Sequence, residues 1–367
     1  MAGASSPVRP SFLPGKWWTH NRGVLILIAC LAALPFALAL LTGQPISSLL
    51  ANETGQAKFY QGVAIEIFIL AVYALSYDLL FGITGLLSLG HAMFFGVGAY
   101  LTGIMIRSFD WGLIPTLGLV VAAGVLMALL FSIVLPRVKG MTFALVTLGL
   151  AQVFHIVIQS RELVDYAGGE IGLQGFTPPA WINPIEERLR FYFLALAFLI
   201  LVFLLYKRFV DSPTGHACIA IRENEDRATM LGFNTFHFKL VVMIISSITA
   251  ALAGSFHALF TPIIRPGITG SEFTIAALLM VLIGGIGTLN GAIIGAAAYT
   301  LLSFFFQRSF GELSQVLIGV IYILIVLFFP YGIVGTWRLR SLDFQQGRQR
   351  LLETFRQALG LDKASGK

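Results

Sequence analysis

Charged residues are scarce in this chain, which carries only 11% Asp, Glu, Lys and Arg over 367 residues. A soluble domain averages about 25%. Apolar residues make up 57% and the mean hydropathy is +0.85, so the composition excludes both an ordinary soluble globule and a disordered chain. Four of the six excess positive charges lie in the last 30 residues. This local excess favours a membrane surface or a partner protein over nucleic acid as the contact.

Cysteine and catalytic motifs are equally sparse. Cys30 lies in an apolar run and Cys218 in a basic loop, so we expect neither a disulfide nor a metal site. The sequence contains no G-x-x-x-x-G-K-[ST] phosphate-binding loop, no nucleophile elbow and no zinc-type cluster. We therefore expect no catalytic residues and no cofactor on this chain, and an integral membrane enzyme is disfavoured.

Long apolar runs dominate the sequence instead. About 20 apolar residues in a helix span a bilayer core, and uncharged runs near that length recur along the chain. They predict an all-α, polytopic integral membrane protein with about ten transmembrane helices. The runs lie near 23–41, 60–81, 86–106, 113–135, 141–158, 191–206, 240–260, 273–286, 289–306 and 313–329.

The orientation depends on whether 273–306 is one helix or two, because several glycines interrupt that run. With two helices, both termini and the segments 137–140 and 207–239 share one side, which then holds 17 Lys and Arg against seven on the other. The positive-inside rule places the richer side in the cytoplasm. A single helix would put the basic tail outside, so we predict two helices and cytoplasmic termini.

These runs divide the chain into a cytoplasmic N-terminal segment (1–22), a transmembrane domain (23–336) and a basic tail (337–367). The first run has no persuasive cleavage site, which favours a retained anchor over a signal peptide. The tail has amphipathic spacing and is predicted to lie on the inner leaflet or on a cytoplasmic partner, with a frayed tail as the alternative. The loop 160–190, rich in turn-forming Gly and Pro, is predicted to lie outside.

Ionisable residues within the predicted spans are few, and the cost of placing them in hydrocarbon makes each a functional candidate. Glu66 lies nearly two turns inside the second run, so its carboxylate is too deep for contact with interfacial water to account for it. We consider it a candidate for the substrate pathway or for an inter-helix contact. Asp78 and His155 lie near the ends of their runs and are expected to face interfacial water, and His257 is expected to be a packing residue.

Glycine and polar residues interrupt the start of the third run, between positions 82 and 98. Glycine in a span permits either close helix packing or a break that exposes backbone groups to a substrate cavity. The hydroxyl and imidazole groups here need partners, which favours a broken segment. The residues predicted to line a substrate pathway at this break are Thr84, Ser88, Gly90 and His91.

Other glycines are predicted to serve helix packing. Gly96 and Gly98 follow the break, and Gly287, Gly291 and Gly295 are spaced by four residues, which places them on one face of a helix. Such a stripe of small residues lets a neighbouring helix approach closely.

The segment 207–239 contains a mixed polar and apolar stretch. Pro213 and Gly215 indicate a turn that leads into a helix, and residues 217–231 predict a single short helix. Gly232 is expected to end this helix in the left-handed conformation. Ile221, Ala228 and Leu231 are expected on one side. Such a helix suits docking into a partner's groove, whereas a solvated loop is the alternative. The residues expected to matter for docking are Arg222, Glu223, Glu225, Ala228, Leu231 and Gly232.

Four separated strings carry a resemblance to a known family. In chain order they are Gly85-Leu-Leu-Ser-Leu-Gly-His91 with Phe94-Phe-Gly-Val-Gly-Ala-Tyr100, Gly168-Gly-x-x-Gly172, Ala220-Ile-Arg-Glu-Asn-Glu225 through Gly232 to Ala250-Ala-Leu-Ala-Gly254, and Leu279-Met-Val-Leu-Ile-Gly-Gly-Ile-Gly287. Over roughly 60–335 the chain resembles the M-type (LivM family) permeases of branched-chain amino acid importers. The family usually has Asn where Asp78 stands. In having an acidic residue at this position, the chain is similar to the related urea permeases.

The resemblance implies a multi-pass permease subunit of an ATP-binding-cassette importer in a bacterial inner membrane, carrying leucine, isoleucine and valine. It also implies partners: a homologous second permease subunit, two cytoplasmic ATPases that bind ATP and magnesium, an external substrate-binding protein, and membrane lipid. The segment 207–239 corresponds to the coupling loop of such permeases, so its docking residues are expected to contact the ATPases. A urea or short-amide importer and an ion-coupled amino acid transporter are the alternatives. An ion-coupled transporter needs several acidic side chains close together near the middle of the membrane, and Glu66 is a single such residue.

Overall fold

The structure, a computed structural model, describes residues 22–41, 55–328 and 332–336. Nearly all regular structure in these residues is helical, in agreement with the predicted fold class. The α-helices are α1 (Arg22–Leu41), α2 (Gln56–Asp78), α3 (Ala92–Phe109), α4 (Leu113–Ser132), α5 (Met141–Ile158), α6 (Val164–Ala167), α7 (Arg188–Val210), α8 (Pro213–Glu223), α9 (Glu225–Met230), α10 (Thr235–Phe260), α11 (Ser271–Gly284), α12 (Leu289–Phe310) and α13 (Ser314–Phe328). Residues 332–336 form one further helical turn.

Shorter elements fill the connections. A π-helix, Leu79–Ile83, continues α2. Strands β1 (Leu173–Gln174) and β2 (Ile263–Ile264) pair antiparallel and join the 160–190 loop to the connection after α10. The 3₁₀ turns are Arg161–Leu163, Gly169–Ile171, Ala180–Ile182, Pro266–Thr269 and Gly311–Leu313.

The chain divides into two units, residues 1–61 and 62–367, and the part of α2 from residue 62 onward forms the core of the larger one. Every residue from Phe68 to Leu80 is buried, so this part of the helix is surrounded by protein on all sides. Around it, α10 packs along α3 and α4, and α11 packs along α12. A helix that is apolar around its whole circumference and carries a few polar groups suits such a central position.

Apolar helices occupy the positions of the ten predicted spans. Within the part of the chain that the structure describes, seven helices are long and apolar enough to cross a bilayer, and shorter apolar stretches lie at Ala29–Leu40, Ser271–Gly284 and Val316–Ile325. The expected division of 273–306 into two helices is confirmed, as α11 and α12. The expected start of the third run near residue 86 is wrong, because helix α3 begins only at Ala92. The number of crossings and the side of the termini stay predictions, and the tail 337–367 lies outside the described residues.

Glycine allows α3 and α10 to cross in direct backbone contact. A Cβ atom on Gly98 would overlap the carbonyl oxygen of Ala251, and one on Gly254 would overlap that of Phe95. Gly96 is similarly close to the 3₁₀ turn that precedes α11. Between helices in a membrane, van der Waals packing replaces the hydrophobic effect as the attraction, so these glycines position α3 against α10.

A second close approach joins α11 to α12. A Cβ atom on Gly295 would overlap the carbonyl oxygen of Met280, and one on Gly291 would lie 2.8 Å from that of Gly284. Gly287 does not belong to this stripe, because α12 begins at Leu289. The prediction of a packing role for Gly287 is therefore corrected: the residue lies in the turn 285–288, with a φ of +72° that favours glycine.

Candidate functional site

The predicted break lies directly after α2. Asp78 ends that helix, the π-helix follows, and the next helix begins at Ala92. Residues 84–91, the broken segment, form no regular helix, as expected from their glycines and polar side chains. All four predicted pathway residues of this segment are enclosed by protein: Thr84, Ser88, Gly90 and His91.

Threonine side chains from two neighbouring helices satisfy the backbone of the broken segment. The Leu89 N–H donates to Thr147 Oγ1 on α5 at 3.1 Å, and the Ala92 N–H donates to Thr274 Oγ1 on α11 at 2.9 Å. An unpaired backbone group at membrane depth costs several kcal/mol, so these bonds hold the segment in place. A Cβ atom on Gly90 would overlap the Thr147 carbonyl oxygen, which explains glycine at that position.

Hydroxyl groups within the broken segment bond locally. Thr84 Oγ1 donates to the carbonyl oxygen of Leu79 at 3.2 Å, and Ser88 Oγ accepts from the Gly90 N–H at 3.4 Å. Their polar atoms are thus paired within the protein in this conformation. Their access to substrate stays a prediction.

His91 is held by α2. Its Nε2 lies 2.8 Å from Ser76 Oγ, whose hydroxyl donates to the carbonyl oxygen of Tyr73 at 2.7 Å. Nδ1 has no hydrogen-bond partner among the described residues. The Tyr73 ring stacks on the imidazole, with 5.5 Å between centroids, and Tyr77 and Phe94 contact it edge-on. His91 is therefore a packed, hydrogen-bonded residue.

The docking segment, residues 213–234, consists of two helices rather than the single helix predicted over 217–231. Asn224 leaves the helical conformation, with φ of −162°, and its side chain caps α9 by accepting the Arg227 N–H at 2.9 Å. Ser212 caps α8 in the same way through Gly215. Asn competes with helix continuation because its side chain mimics a backbone acceptor, and this competition ends α8.

Charged residues of the docking segment bond to the same chain. Glu225 pairs with Lys239 at 2.5 Å and lies 3.9 Å from Lys139, which also holds Asp226 at 3.1 Å. The hydrogen bond to Asp226 and the charge of Glu225 raise the pKa of Lys139. Glu223 is exposed and binds Arg222 at 2.8 Å. Glu225, predicted to supply a polar docking contact, thus joins α9 to α10 and to the 137–140 loop, and its contact with a partner stays a prediction.

Apolar side chains are exposed at the end of the docking segment, beside its exposed charged residues. Met230 is 86% exposed, Leu231 73% and Phe233 42%. Leu231 was expected beside Ile221 and Ala228, which are both buried, and that expectation is wrong because the break at Asn224 turns α9 away from α8. Gly232 has a φ of +89°, the left-handed conformation expected of it.

Arg222 connects the docking segment to the broken segment. Its guanidinium Nη1 donates to the carbonyl oxygen of Gly82. Gly85 leaves room for the stem of the same side chain, since a Cβ atom there would lie 2.8 Å from Arg222 Cγ. One turn earlier on α8, the buried Cys218 side chain lies near Thr84, whose hydroxyl acts on the thiol. Two residues on one face of α8 therefore contact 82–85.

Asp78 lies beside this contact and is fully buried, so the expectation that it faces interfacial water is wrong. Its Oδ1 accepts the Gly287 N–H from the turn 285–288 at 2.7 Å, while Oδ2 has no hydrogen-bond partner among the described residues. Gly82 makes the approach possible, because a Cβ atom there would overlap Oδ1. Arg222 also acts electrostatically on the Asp78 carboxylate.

Glu66 is separate from this cluster. It lies on α2, about 18 Å along the helix from Asp78 at 1.5 Å per residue. Its side chain is exposed, and no described residue forms an ion pair with it. Its charge acts on Tyr299 of α12. His155, by contrast, is satisfied by Thr269 at 2.6 Å and Gln159 at 2.8 Å.

Several site residues were not predicted from the sequence. Thr147, Thr274 and Lys239 lie in other helices than the residues they bind. Their long-range pairing leaves no local pattern. A signal did exist for Gly82 and Gly85, since both belong to the glycine-rich stretch that predicted the break.

Comparison with known proteins extends these observations. A family model described as a permease component of branched-chain amino acid transport systems matches residues 59–326. The chain is 26% identical over 307 residues to the LivM permease proteins of high-affinity branched-chain amino acid transport in Salmonella typhimurium and Escherichia coli, covering 75% of this chain and 70% of each relative. It is also 27% identical over 289 residues to LivH of Salmonella typhimurium, covering 72% and 91%. No solved structure matches the chain significantly.

Proposed function

This chain belongs to the permease-component family of branched-chain amino acid transport systems, and on that premise we propose that it is a permease subunit of an ATP-driven importer. Its substrates are the branched-chain amino acids leucine, isoleucine and valine. The observation that carries this proposal is the direct bond between Arg222 of the docking segment and the backbone beside the broken segment. A transporter powered from outside its own chain needs such a connection between the docking site and the membrane.

The docking segment receives the ATPase. An exposed apolar surface of Met230, Leu231 and Phe233 at the end of a charged loop suits insertion into a hydrophobic groove. The other residues predicted for docking belong to the same segment: Arg222, Glu223, Glu225, Ala228 and Gly232. ATP and magnesium are bound by the partner ATPases, because the chain has no phosphate-binding loop.

Glu66 faces the substrate pathway. A carboxylate exposed to lipid at mid-membrane costs about 2.5 to 3.5 kcal/mol by insertion scales, so its exposed position calls for a polar or aqueous neighbour. In the assembled transporter that neighbour is the pathway formed with a second, homologous permease subunit. The substrate ammonium group is a suitable partner for the carboxylate. Thr84, Ser88, Gly90 and His91 belong to the segment whose movement opens the pathway.

The complete transporter contains this chain, the second permease, two cytoplasmic ATPases and an external substrate-binding protein, within the lipid of a bacterial inner membrane. The similarity to both LivM and LivH relatives supports an assembly of two related permeases. The side with 17 basic residues is cytoplasmic. The 160–190 loop then lies outside, where the binding protein delivers its substrate.

Uptake by the reconstituted transporter tests this function. The chain is co-expressed with the neighbouring permease, ATPase and binding-protein genes, reconstituted in vesicles and supplied with labelled leucine. We expect uptake that requires ATP and the binding protein, and that excess isoleucine or valine reduces.

Competition and ion gradients separate the alternatives. Uptake of labelled urea or acetamide without leucine uptake would favour the amide importer. Leucine uptake driven by a Na⁺ or H⁺ gradient without ATP would favour the ion-coupled transporter.

Topology is tested separately by thiol labelling. In a chain with Cys30 and Cys218 replaced by serine, a cysteine at the exposed position Gln174 should react with an impermeant reagent in intact cells. A cysteine at Ser365 should react only after the membrane is opened. Labelling of position 365 in intact cells would contradict the proposed orientation.

A further inference from the structure

We infer that Asp78 and Arg222 are positioning residues that join the docking segment, the π-helix and the turn 285–288 into one mechanical unit, and that Asp78 acts as a hydrogen-bond acceptor rather than as a charge. This inference rests on the proposed function, because it assigns a route from the docking segment into the membrane domain. Neither residue is placed in contact with the substrate.

The joint has three parts held by two side chains. Arg222 of α8 bonds to the Gly82 carbonyl oxygen in the π-helix. Asp78, four residues before Gly82, accepts the N–H of Gly287 in the turn between α11 and α12. A Cβ atom on Gly287 would lie 2.8 Å from Arg222 Nη1 and 3.0 Å from the Gly82 carbonyl oxygen, so all three parts meet at one point.

The packing makes the joint stiff. Asp78 is fully buried, and the Arg222 side chain is only one third exposed although it belongs to an extramembrane helix. Gly82, Gly85 and Gly287 leave no room for side chains of their own around the guanidinium and its stem. Displacement of α8 therefore moves the π-helix and the turn together, since close-packed parts shift as units.

If Asp78 acts as a hydrogen-bond acceptor, its substitutions should have different effects on function than if it acts as a charge. Asp78 Oδ1 makes the bond to Gly287, whereas Oδ2 has no hydrogen-bond partner among the described residues, and no ion-pair contact joins the carboxylate to Arg222. Asparagine keeps an Oδ1 acceptor and leucine of similar size does not. Asp78→Asn should therefore retain function and Asp78→Leu should lose it.

The experiment uses the full transporter in vesicles and measures leucine moved per ATP hydrolysed, together with the amount of bound ATPase. We expect Asp78→Leu and Arg222→Ala each to lower that ratio at least about tenfold with ATPase still bound, and Asp78→Asn to stay within about twofold of the parent. Glu272→Leu, on an exposed position of α11, and Arg107→Ala, on an exposed position of α3, are the matched controls and should leave the ratio unchanged.

A second measurement detects the joint without transport. Cys218 is buried against Thr84, and burial raises the pKa of its thiol to about 11, so in a Cys30→Ser background it should label slowly at neutral pH. Asp78→Leu and Arg222→Ala should each speed its labelling at least about threefold, and Asp78→Asn should not.

The experiments distinguish a failure of this inference from a failure of the proposed function. An unmodified transporter that moves no leucine contradicts the proposed function, while the labelling still reports on the joint. Parent-like labelling of Cys218 in both Asp78→Leu and Arg222→Ala overturns the inference. So does an unchanged transport ratio in Arg222→Ala, which decides the matter even if Asp78→Leu fails to assemble. Equal failure of Asp78→Asn and Asp78→Leu would show that the charge is needed and would overturn the acceptor role.

Discussion

Helices α2 and α4 are both strongly apolar, yet they occupy opposite environments. The span that contains α2 has a mean hydropathy of 1.9 and is 78% buried, whereas α4 has a mean hydropathy of 2.5 and is only 22% buried. The less apolar helix thus forms the interior. In water this order would be reversed, because burial would follow hydrophobicity.

The difference arises because the lipid chains are as apolar as leucine, so apolar side chains gain little by leaving them. Polar groups decide the matter. Helix α2 carries Ser76 and Asp78, and each finds its partner inside the protein. Helix α4 exposes Leu126, Leu129 and Leu130, which the bilayer accommodates. The comparison teaches that, in this protein, hydrogen bonding and close contact rather than hydropathy determine which helix is central.

The largest effect is expected where backbones touch. Gly98→Val should place its side chain into the Ala251 carbonyl oxygen and cost about 3 kcal/mol, at the upper end of overpacking effects. The same change at Gly118 of α4, where a Cβ atom meets nothing within 4 Å, should cost less than about 0.5 kcal/mol. Unfolding by SDS in mixed micelles measures both. Equal losses would show that α4 is also covered by protein.

Truncation of apolar side chains should separate the two helices next. Leu75 of α2 is fully buried and Leu126 of α4 is 59% exposed. We expect Leu75→Ala to cost about 2 kcal/mol, the lower end of the range for buried leucine, because only packing is lost when the reference is lipid. Leu126→Ala should be close to neutral by the same unfolding measurement. A loss above about 1 kcal/mol at Leu126 would place α4 in an interface.

A substitution at Gly232 tests the docking segment, which is connected to the π-helix after α2 through Arg222. The Gly232 φ of +89° is unfavourable for a branched side chain by about 1 kcal/mol or more. Gly232→Val should leave the protein in the membrane and lower ATP-dependent uptake at least about tenfold, equivalent to roughly 1.4 kcal/mol. Gly232→Asn is the matched control, because Asn tolerates this conformation better, and it should retain most of the uptake. Full uptake by the valine variant would contradict a docking role.

The smallest effects are expected at two adjacent serines of α10. Ser246 donates to the Ser76 carbonyl oxygen of α2 at 2.6 Å, and Ser247 donates to the Gly124 carbonyl oxygen of α4 at 2.9 Å. Replacement of either by alanine should cost about 0.6 kcal/mol, the average for such bonds between membrane helices. A difference above about 1 kcal/mol between the two would mean that the surroundings of α2 strengthen its hydrogen bonds.

Much of the architecture was predictable from local pattern. The apolar runs predicted the helices, the glycines in 273–306 predicted two helices there, and the polar and glycine residues after α2 predicted a break. Gly232 was recognised because a helix end and a left-handed glycine are both set by neighbouring residues. The helix break at Asn224 was missed, although its capping side chain is a local signal.

The sequence by itself determined what this protein is made of: membrane-spanning helices, where they stop, and the family whose motifs they carry. These properties depend on the solvation of short stretches and on the conformations of single residues. Only the tertiary structure decided that Asp78 is buried and accepts the N–H of Gly287 in a turn. It also decided that Arg222 points inward and binds the carbonyl oxygen of Gly82. Those facts depend on contacts between residues up to 209 positions apart, and no local pattern specifies which distant donor will satisfy a buried acceptor.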